Sequence, residues 1–257
     1  MTANGHASAD RRERILSFVK SRGHATVAEL VSALDVSEST IKRDLKALDA
    51  RHMLVRTRGG AFLPADGQVL LPFEIRLQER YSEKLRIARE AAGFVSDNDS
   101  VFIEAGSTTY LVFKSITARD VTVITNSIPI LTSLDRLSGL RVHVIEGEYI
   151  PDSMSIHGAA AVRSAEGILP KKLIVGSAFI HPELGLTTNE AQDKPLKSTL
   201  IERAQTVILV ADSSKIGKSG AWRVASFEKI GIFVTDSGIS EEARRQISAY
   251  GTRVIVA

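Results

Sequence analysis

Two groups of residues in this chain have the types and spacing for chemistry. The first lies between Ser37 and Arg58. Ile41, Leu45 and Leu48 recur at helical spacing, which leaves Ser39, Thr40, Lys42, Arg43 and Lys46 on the outward face with Asp44 as the one acid among them. Ser37 stands where it caps that helix. Leu54 to Arg58 is β-prone and ends in Gly59-Gly60, a turn signal. Hydroxyls and cations on a short helix suit the major groove, and Arg56 and Arg58 on an adjoining hairpin suit phosphates. The expected partner is double-stranded DNA, contacted through Ser37, Ser39, Thr40, Lys42, Arg43, Lys46, Arg56 and Arg58.

The second group follows a series of short β-branched runs. After Val101-Phe102-Ile103 comes Glu104-Ala105-Gly106-Ser107-Thr108-Thr109, a glycine turn with three hydroxyls. Backbone N–H groups at a helix start, joined by Ser and Thr donors, are what a phosphate oxyanion needs. Later runs end in Thr125-Asn126-Ser127, Glu146-Gly147-Glu148, Gly176-Ser177 and Asp212-Ser213-Ser214-Lys215. Lys215 supplies a cation for an anionic ligand. Together these ends read as one converging anion site.

The elements that position both groups follow from periodicity. Arg11 to Arg22 reads as a first helix with Ile15, Phe18 and Val19 inward, stopped by Gly23. Thr26 and Glu29 form a capping box for a second helix. Asp35-Val36-Ser37 is the turn into the third, and with the hairpin this is a winged helix-turn-helix. Residues 1–10 read as disordered, 11–63 as the DNA-binding domain, 64–72 as a linker and 73–257 as an effector-sensing domain. A long amphipathic helix is expected from Phe73 to Val95. Runs at 101–103, 121–124, 142–145, 173–175, 207–210, 232–234 and 254–256 alternate with amphipathic segments, so the second domain is α/β with a mainly parallel sheet. In such sheets ligands sit beyond the carboxyl ends of the strands.

Composition bounds the function. The 257 residues contain no cysteine, which excludes disulfides, thiolate metal sites and cysteine catalysis. No apolar run approaches the ~20 residues of a membrane helix, and MTANGHASAD lacks the pattern of a signal peptide, so a cytoplasmic protein with no membrane partner is expected. The net charge of +3 is uneven, +4 through Leu63 and −1 beyond it, which puts the basic excess in the DNA-binding part. His143 reads as structural, and His181-Pro182-Glu183 has no second histidine at ligand spacing, so no metal is expected. Trp222 and Arg223 read as part of a Gly-rich loop.

The segments Ser39-Thr40-Ile41-Lys42-Arg43-Asp44-Leu45, Leu48, Leu54, Arg56 and Gly59-Gly60-Ala61 resemble the DNA-binding signature of the DeoR family of bacterial transcription regulators. Glu83-Lys84, Ala105 to Thr109, Thr125-Asn126-Ser127, Gly185-Leu186-Thr187 and Asp212 to Gly217 resemble its sensor-domain motifs. The resemblance runs from about Arg11 to the end. It implies a sensor fold like that of ribose-5-phosphate isomerase, an effector that is a phosphorylated sugar or related metabolite, no cofactor, and a homo-oligomer, dimer or tetramer. By that resemblance Gly106, Ser107, Thr108 and Thr109 hold the phosphate, and Asn126, Lys197 and Lys215 contact the ligand. Glu104, Ser127, Gly147 and His157 complete the candidate effector site. Departures are Lys42 where arginine is usual, Arg58 for histidine, Glu104 for aspartate, and Glu146 in a place often left to glycine.

The function expected is a DNA-binding regulator, a repressor of a carbohydrate-catabolism operon, that is not an enzyme. The alternative is a sugar-phosphate isomerase-like enzyme with a DNA-binding appendage, for which Glu104, Glu146 and Asp212 are the candidate bases. A regulator without effector control is the third.

Overall fold

A computed structural model describes residues 3–22, 24–51, 53–56, 59–62, 73–133, 139–151 and 153–257. The chain divides into two compact units, Met1–Arg76 and Leu77–Ala257. Gly23, Arg58 and the expected linker 64–72 lie outside the described residues. Among the described residues no helix is long and apolar enough to cross a membrane.

The first unit contains α1 (Ala3–Arg22), β1 (His24–Thr26), α2 (Val27–Leu34), α3 (Glu38–Asp49), β2 (Val55–Arg56) and β3 (Gly60–Phe62). Helix α1 begins upstream of Arg11, so residues 3–10 are helical and the expectation of disorder over 1–10 does not hold for them. Once a turn has nucleated, each further residue adds a hydrogen bond at little entropic cost, and Ala3, Ala7 and Ala9 propagate helix well. Thr26 accepts from Glu29 N at 3.2 Å while Glu29 accepts from Thr26 N at 2.7 Å, which is the capping box read from sequence. Asp35 takes the left-handed conformation (φ 52°) and returns its N–H to Val31 O, ending α2. Ser37 then caps α3.

Ile15, Val19, Leu30, Ile41, Leu45, Leu48 and Leu54 are all buried in one cluster, each contributing roughly 1.5–3 kcal/mol of burial. Strand β3 lies between β1 and β2, antiparallel to both, which completes the wing. Gly60 has no substitute here, because a Cβ at that position would lie 2.1 Å from Ala25 O across the ladder. Strand β1 has no counterpart in the sequence reading.

One expectation fails in an informative way. Asp44 is not on the outward face of α3 but is fully buried. Its Oδ2 accepts from Arg11 Nε at 2.6 Å and its Oδ1 from Arg12 Nε at 3.0 Å. Asp44 follows Ile41 by three residues, so it falls on the packed side of α3, and two guanidiniums from α1 make that burial tolerable.

Helix α4 (Phe73–Gln78) lies across the junction, and α5 (Tyr81–Ala92) follows it. The expected continuous helix from Phe73 to Val95 is broken at Arg80, which is left-handed (φ 50°, ψ 41°). That conformation is uncommon for a non-glycine residue. The Arg80 guanidinium lies 3.3 Å from Asp236 and 3.6 Å from Asp212, and these long-range pairs outweigh helical continuation.

The remaining elements are β4 (Ser100–Ile103), α6 (Ser107–Ser115), β5 (Val121–Thr125), α7 (Ile128–Leu131), β6 (Leu140–Val144), β7 (Glu148–Ile150), β8 (Ser155–His157), α8 (Ala159–Glu166), β9 (Lys172–Val175), β10 (Phe179–His181), β11 (Gly185–Thr188), α9 (Asp193–Arg203), β12 (Thr206–Val210), β13 (Trp222–Ala225), β14 (Ile232–Thr235), α10 (Glu241–Ser248) and β15 (Arg253–Val256). All seven expected runs form one sheet, in the order β15-β14-β12-β9-β4-β5-β6, with every pair parallel. Alternate residues serve two cores. Val101, Ile103, Ile174, Ile208 and Val210 pack with α5 and α6, whereas Phe102, Leu173, Val175, Leu209 and Phe233 pack with α8, α9 and α10. Strands β10, β11 and β13 form a separate antiparallel sheet, and β7 and β8 a hairpin. Trp222 and Arg223 therefore sit in a strand rather than a loop, pairing with Thr188 and Thr187.

The chain builds from β4 through β5 and β6 in one direction, then from β9 through β15 in the other. The order reverses between β4 and β9.

Asp44→Asn keeps the size of the side chain but removes the charge that both arginines share. We expect a loss of about 2–3 kcal/mol, the scale for hydrogen bonds to a charged group at a buried position. Hydrogen exchange should show protection falling in α1 and α3 and unchanged in β4 and β5; equal protection in both would refute the clamp.

Candidate functional site

In the first unit, α3 presents Ser37, Ser39, Lys42, Arg43 and Lys46 as exposed residues, with Thr40 half-buried. Ser37 Oγ lies 3.0 Å from Ser39 Oγ and 2.8 Å from Thr40 Oγ1, a cluster of hydroxyls at the helix start. Lys42 pairs with Glu38 at 2.6 Å one turn back. With Asp44 turned inward, the middle of the outward face carries cations only. Arg56 is exposed on the wing, and its backbone N–H donates to Asp49 Oδ1 at 3.1 Å, joining the wing to the end of α3.

In the second unit the candidate site is at the carboxyl ends of β4 and β9, where the strand order reverses. Glu104 spans that crevice. Its backbone N–H donates to Ile174 O at 3.0 Å, and its Oε2 accepts from Gly176 N at 3.4 Å. Lys197 reaches in from α9, 3.5 Å from Glu104 Oε1, and donates to Asp193 Oδ2 at 2.8 Å. Thr188 Oγ1 donates to the same Asp193 oxygen at 3.4 Å. His157 Nδ1 lies 3.8 Å from Asp193 Oδ1, and its Nε2 is 2.7 Å from Ser155 Oγ. Glu104, Lys197 and His157 are all buried.

Helix α6 starts beside this cluster. Its first N–H groups have no acceptor within the helix, and among the described residues no side chain caps it at Gly106. Ser107, Thr108 and Thr109 are buried there, and Thr109 Oγ1 donates back to Gly106 O at 3.0 Å. The turn is held by Asn126, whose Oδ1 accepts from Ala105 N at 2.8 Å and whose Nδ2 donates to Ile156 O at 3.2 Å. Thr125 Oγ1 donates to Ile103 O and accepts from Ser127 N, which fixes the end of β5 against β4.

The charges do not balance within this cluster. Two carboxylates share one ammonium. Burial pushes Glu104 up to about 7; Lys197 opposes the rise and the charge of Asp193 adds to it. Burial also disfavours the Lys197 ammonium, but Asp193 and then Glu104 outweigh it and raise its affinity for the proton. Asp193 is held below the usual carboxylate range, its burial overcome by Lys197. Burial lowers His157 against the pull of Asp193, so the imidazole is neutral near pH 7.

The structure brings Glu104, Gly106, Ser107, Thr108, Thr109, Asn126, Ser127, His157 and Lys197 to the ends of neighbouring elements. Gly147 has a separate structural duty: at φ 147°, a Cβ would lie 2.4 Å from His157 O. Lys215 closes the 3-10 turn Ser213–Lys215 after β12. Asp212 caps that turn and accepts from Ser214 N, and Glu146 is exposed, so of the three carboxylates considered as bases only Glu104 lies in the buried cluster. His157, in a segment whose sequence reads as a polar loop after the third strand, is instead the buried last residue of β8, paired with Glu148 of β7. Sequence reasoning missed Asp193 and Thr188. The spacing of Asp193 and Lys197, one helical turn apart, was the available signal.

A carboxyl raised from 4.5 to about 7 on folding favours the native state below pH 4.5, and that advantage is lost as pH rises toward 7. Glu104→Gln removes this dependence. Its melting temperature should therefore rise relative to the parent between about pH 5 and 8, by the equivalent of about 3 kcal/mol. A constant difference across that range, measured by thermal melting, would contradict the assignment.

Comparison with known proteins finds matches to both parts of the chain. Residues 11–66 match the family model for the DeoR-like helix-turn-helix domain, and residues 79–237 match that for the DeoR C terminal sensor domain. The HTH-type transcriptional repressor GlcR of Bacillus subtilis (strain 168) is 31% identical over 227 residues, 88% of each chain. The lactose phosphotransferase system repressor of Lactococcus lactis subsp. lactis is 27% identical over 247 residues, 94% of this chain and 96% of that one. Among solved structures, a ribose 5-phosphate isomerase from Plasmodium falciparum superposes on 55% of each chain at 20% identity, with a TM-score of 0.39. With both halves matched in their expected order, this chain belongs to the DeoR family of DNA-binding transcription regulators.

Proposed function

We propose that this regulator represses a carbohydrate-catabolism operon and that a phosphorylated sugar or related metabolite controls it. The observation that carries the reading is the uncapped start of α6 beside the buried Glu104–Lys197–Asp193 cluster, at the point where the sheet order reverses. Buried charge is expensive to maintain, and a ligand site is the physical reason to keep it. The phosphate sits on the N–H groups of Gly106 to Thr109, with Lys215 as a further cation. Glu104, Asn126, Ser127 and Lys197 meet the sugar. The names of the GlcR and lactose-system relatives support repression, and the latter supports a carbohydrate signal.

On the DNA side, α3 enters the major groove with Ser39, Thr40, Lys42, Arg43 and Lys46 toward the bases and phosphates, and Arg56 of the wing touches the backbone. One short helix reads too few base pairs for useful specificity, so the acting form is a homo-oligomer on a repeated site. The effector acts by binding one arrangement of the protein more tightly than another. The role is binding, not turnover: Glu104 shares its carboxylate with Lys197 and Gly176 instead of standing free as a base.

Fragments recovered by selecting genomic DNA on the full-length protein give the operator. Arg43→Ala with Lys46→Ala should abolish specific binding and reduce the salt slope of the remaining affinity by about 2; retained operator affinity in anisotropy titrations would sink the recognition-helix reading.

Thermal melting against a panel of sugar phosphates should find at least one compound that raises the melting temperature with concentration. Ser107→Ala with Thr108→Ala should reduce that response tenfold or more and leave DNA affinity without effector intact. A panel member converted to an isomer during incubation would instead favour an enzyme.

A further inference from the structure

The effector site carries more information than a place for phosphate. Resting on the reading above, we infer that the end of the effector lying against Glu104 and Asp193 presents hydrogen-bond donors, hydroxyl or ammonium, and bears no acid group. Two observations carry this.

The first is the composition of the cluster. Glu104 and Asp193 bring two carboxylates to the single ammonium of Lys197, with Lys197 Nζ 3.5 Å from one and 2.8 Å from the other. The other polar groups around them are Thr188 Oγ1 on Asp193, Gly176 N on Glu104, and the His157 ring 3.8 Å from Asp193. None adds a second full positive charge at neutral pH. A further carboxylate placed here meets net negative charge in a site of low dielectric, while a hydroxyl or ammonium finds acceptors waiting.

The second is a pair of buried polar atoms. Among the described residues, Ser127 Oγ and His157 Nδ1 have no partner within hydrogen-bond distance, although the two residues are only 1% and 4% exposed; the Gln192 backbone and Asp193 act on the His157 ring from beyond that distance. Buried polar groups are nearly always paired, so an unpartnered one calls for a reason. Both lie on one wall of the site. Ser127 bridges Ser155 through the backbone, and Ser155 Oγ holds the other nitrogen of His157. Asn126, beside Ser127, ties that wall to the turn before α6. A phosphate seated on α6 has its acceptors satisfied by the helix, so the wall is left for the body of the ligand. A hydroxyl suits both atoms, since it donates and accepts. Serine 127 and His157 thus read a polyhydroxylated carbon chain, and Asp193, unseen in the sequence, sets the charge rule at its far end.

Calorimetric titration of the full-length protein with matched esters tests this: glucose 6-phosphate, glucosamine 6-phosphate and 6-phosphogluconate, then ribose 5-phosphate and its aldonate, with inorganic phosphate as reference. The tightest aldose or amino-sugar ester should bind at least tenfold more tightly than the aldonate of the same carbon count, and Glu104→Gln should narrow that gap. The aldose and amino-sugar arms tell which donor is used. Ser127→Ala should weaken the sugar ester about tenfold, weaken inorganic phosphate less, and leave the melting temperature unchanged or raised. An aldonate that binds as tightly as its aldose overturns the inference alone, as does a Ser127→Ala protein with full sugar affinity. A protein that binds none of the phosphates overturns the effector reading beneath it as well.

Discussion

A parallel sheet delivers every strand end to the same edge, and that constraint organises the sensor unit. The backbone ladder leaves no choice about where Glu104, Asn126, Gly176 and Asp212 emerge once β4, β5, β9 and β12 are paired. What remains open is where the edge can admit a ligand. Strands that continue in one direction cover their neighbours' ends with crossover helices, and only where the order reverses, between β4 and β9, do the flanking loops diverge. Glu104 is at that point because it is the first residue after β4, one of the two strands that flank the reversal.

The energetics of the site follow from its depth. An ion cluster at the sheet edge loses its water, so its members must satisfy one another, and here they do so incompletely. Lys197 is shared, Glu104 rises toward neutrality, and His157 and Ser127 keep unmet polar atoms. A site made only for stability would fill this space with apolar side chains, as the two cores on either side of the sheet do. Incomplete satisfaction costs folding free energy and leaves binding free energy for a ligand that completes it.

Much of this was legible in the sequence, for identifiable reasons. The seven strands are short runs of Val, Ile, Leu and Phe between turn residues, so their existence needs no tertiary knowledge. The Thr26 and Ser37 caps are local hydrogen bonds, readable from spacing. What was hidden depends on residues far apart in the chain. Asp44 looked like a surface acid because its partners Arg11 and Arg12 are more than thirty positions away. The break at Arg80 cannot be inferred from an amphipathic pattern that stays in phase through it, since the cause is Asp212 and Asp236. Hairpin β7–β8 escaped because its strands are three residues each, too short for a period to be read.

Helix α3 interleaves two kinds of position that answer to different pressures. Ile41, Asp44, Leu45 and Leu48 face the interior, and the acid among them is committed to α1. Ser39, Lys42, Arg43 and Lys46 face outward and bear none of that packing. On the recognition-helix reading proposed above, divergence at the outward set changes which DNA sequence is read without touching the packed set. Duplicated copies of such a gene could part company in their targets without first passing through an unstable intermediate. The buried carboxylate next to Arg43 is what keeps those two histories separate.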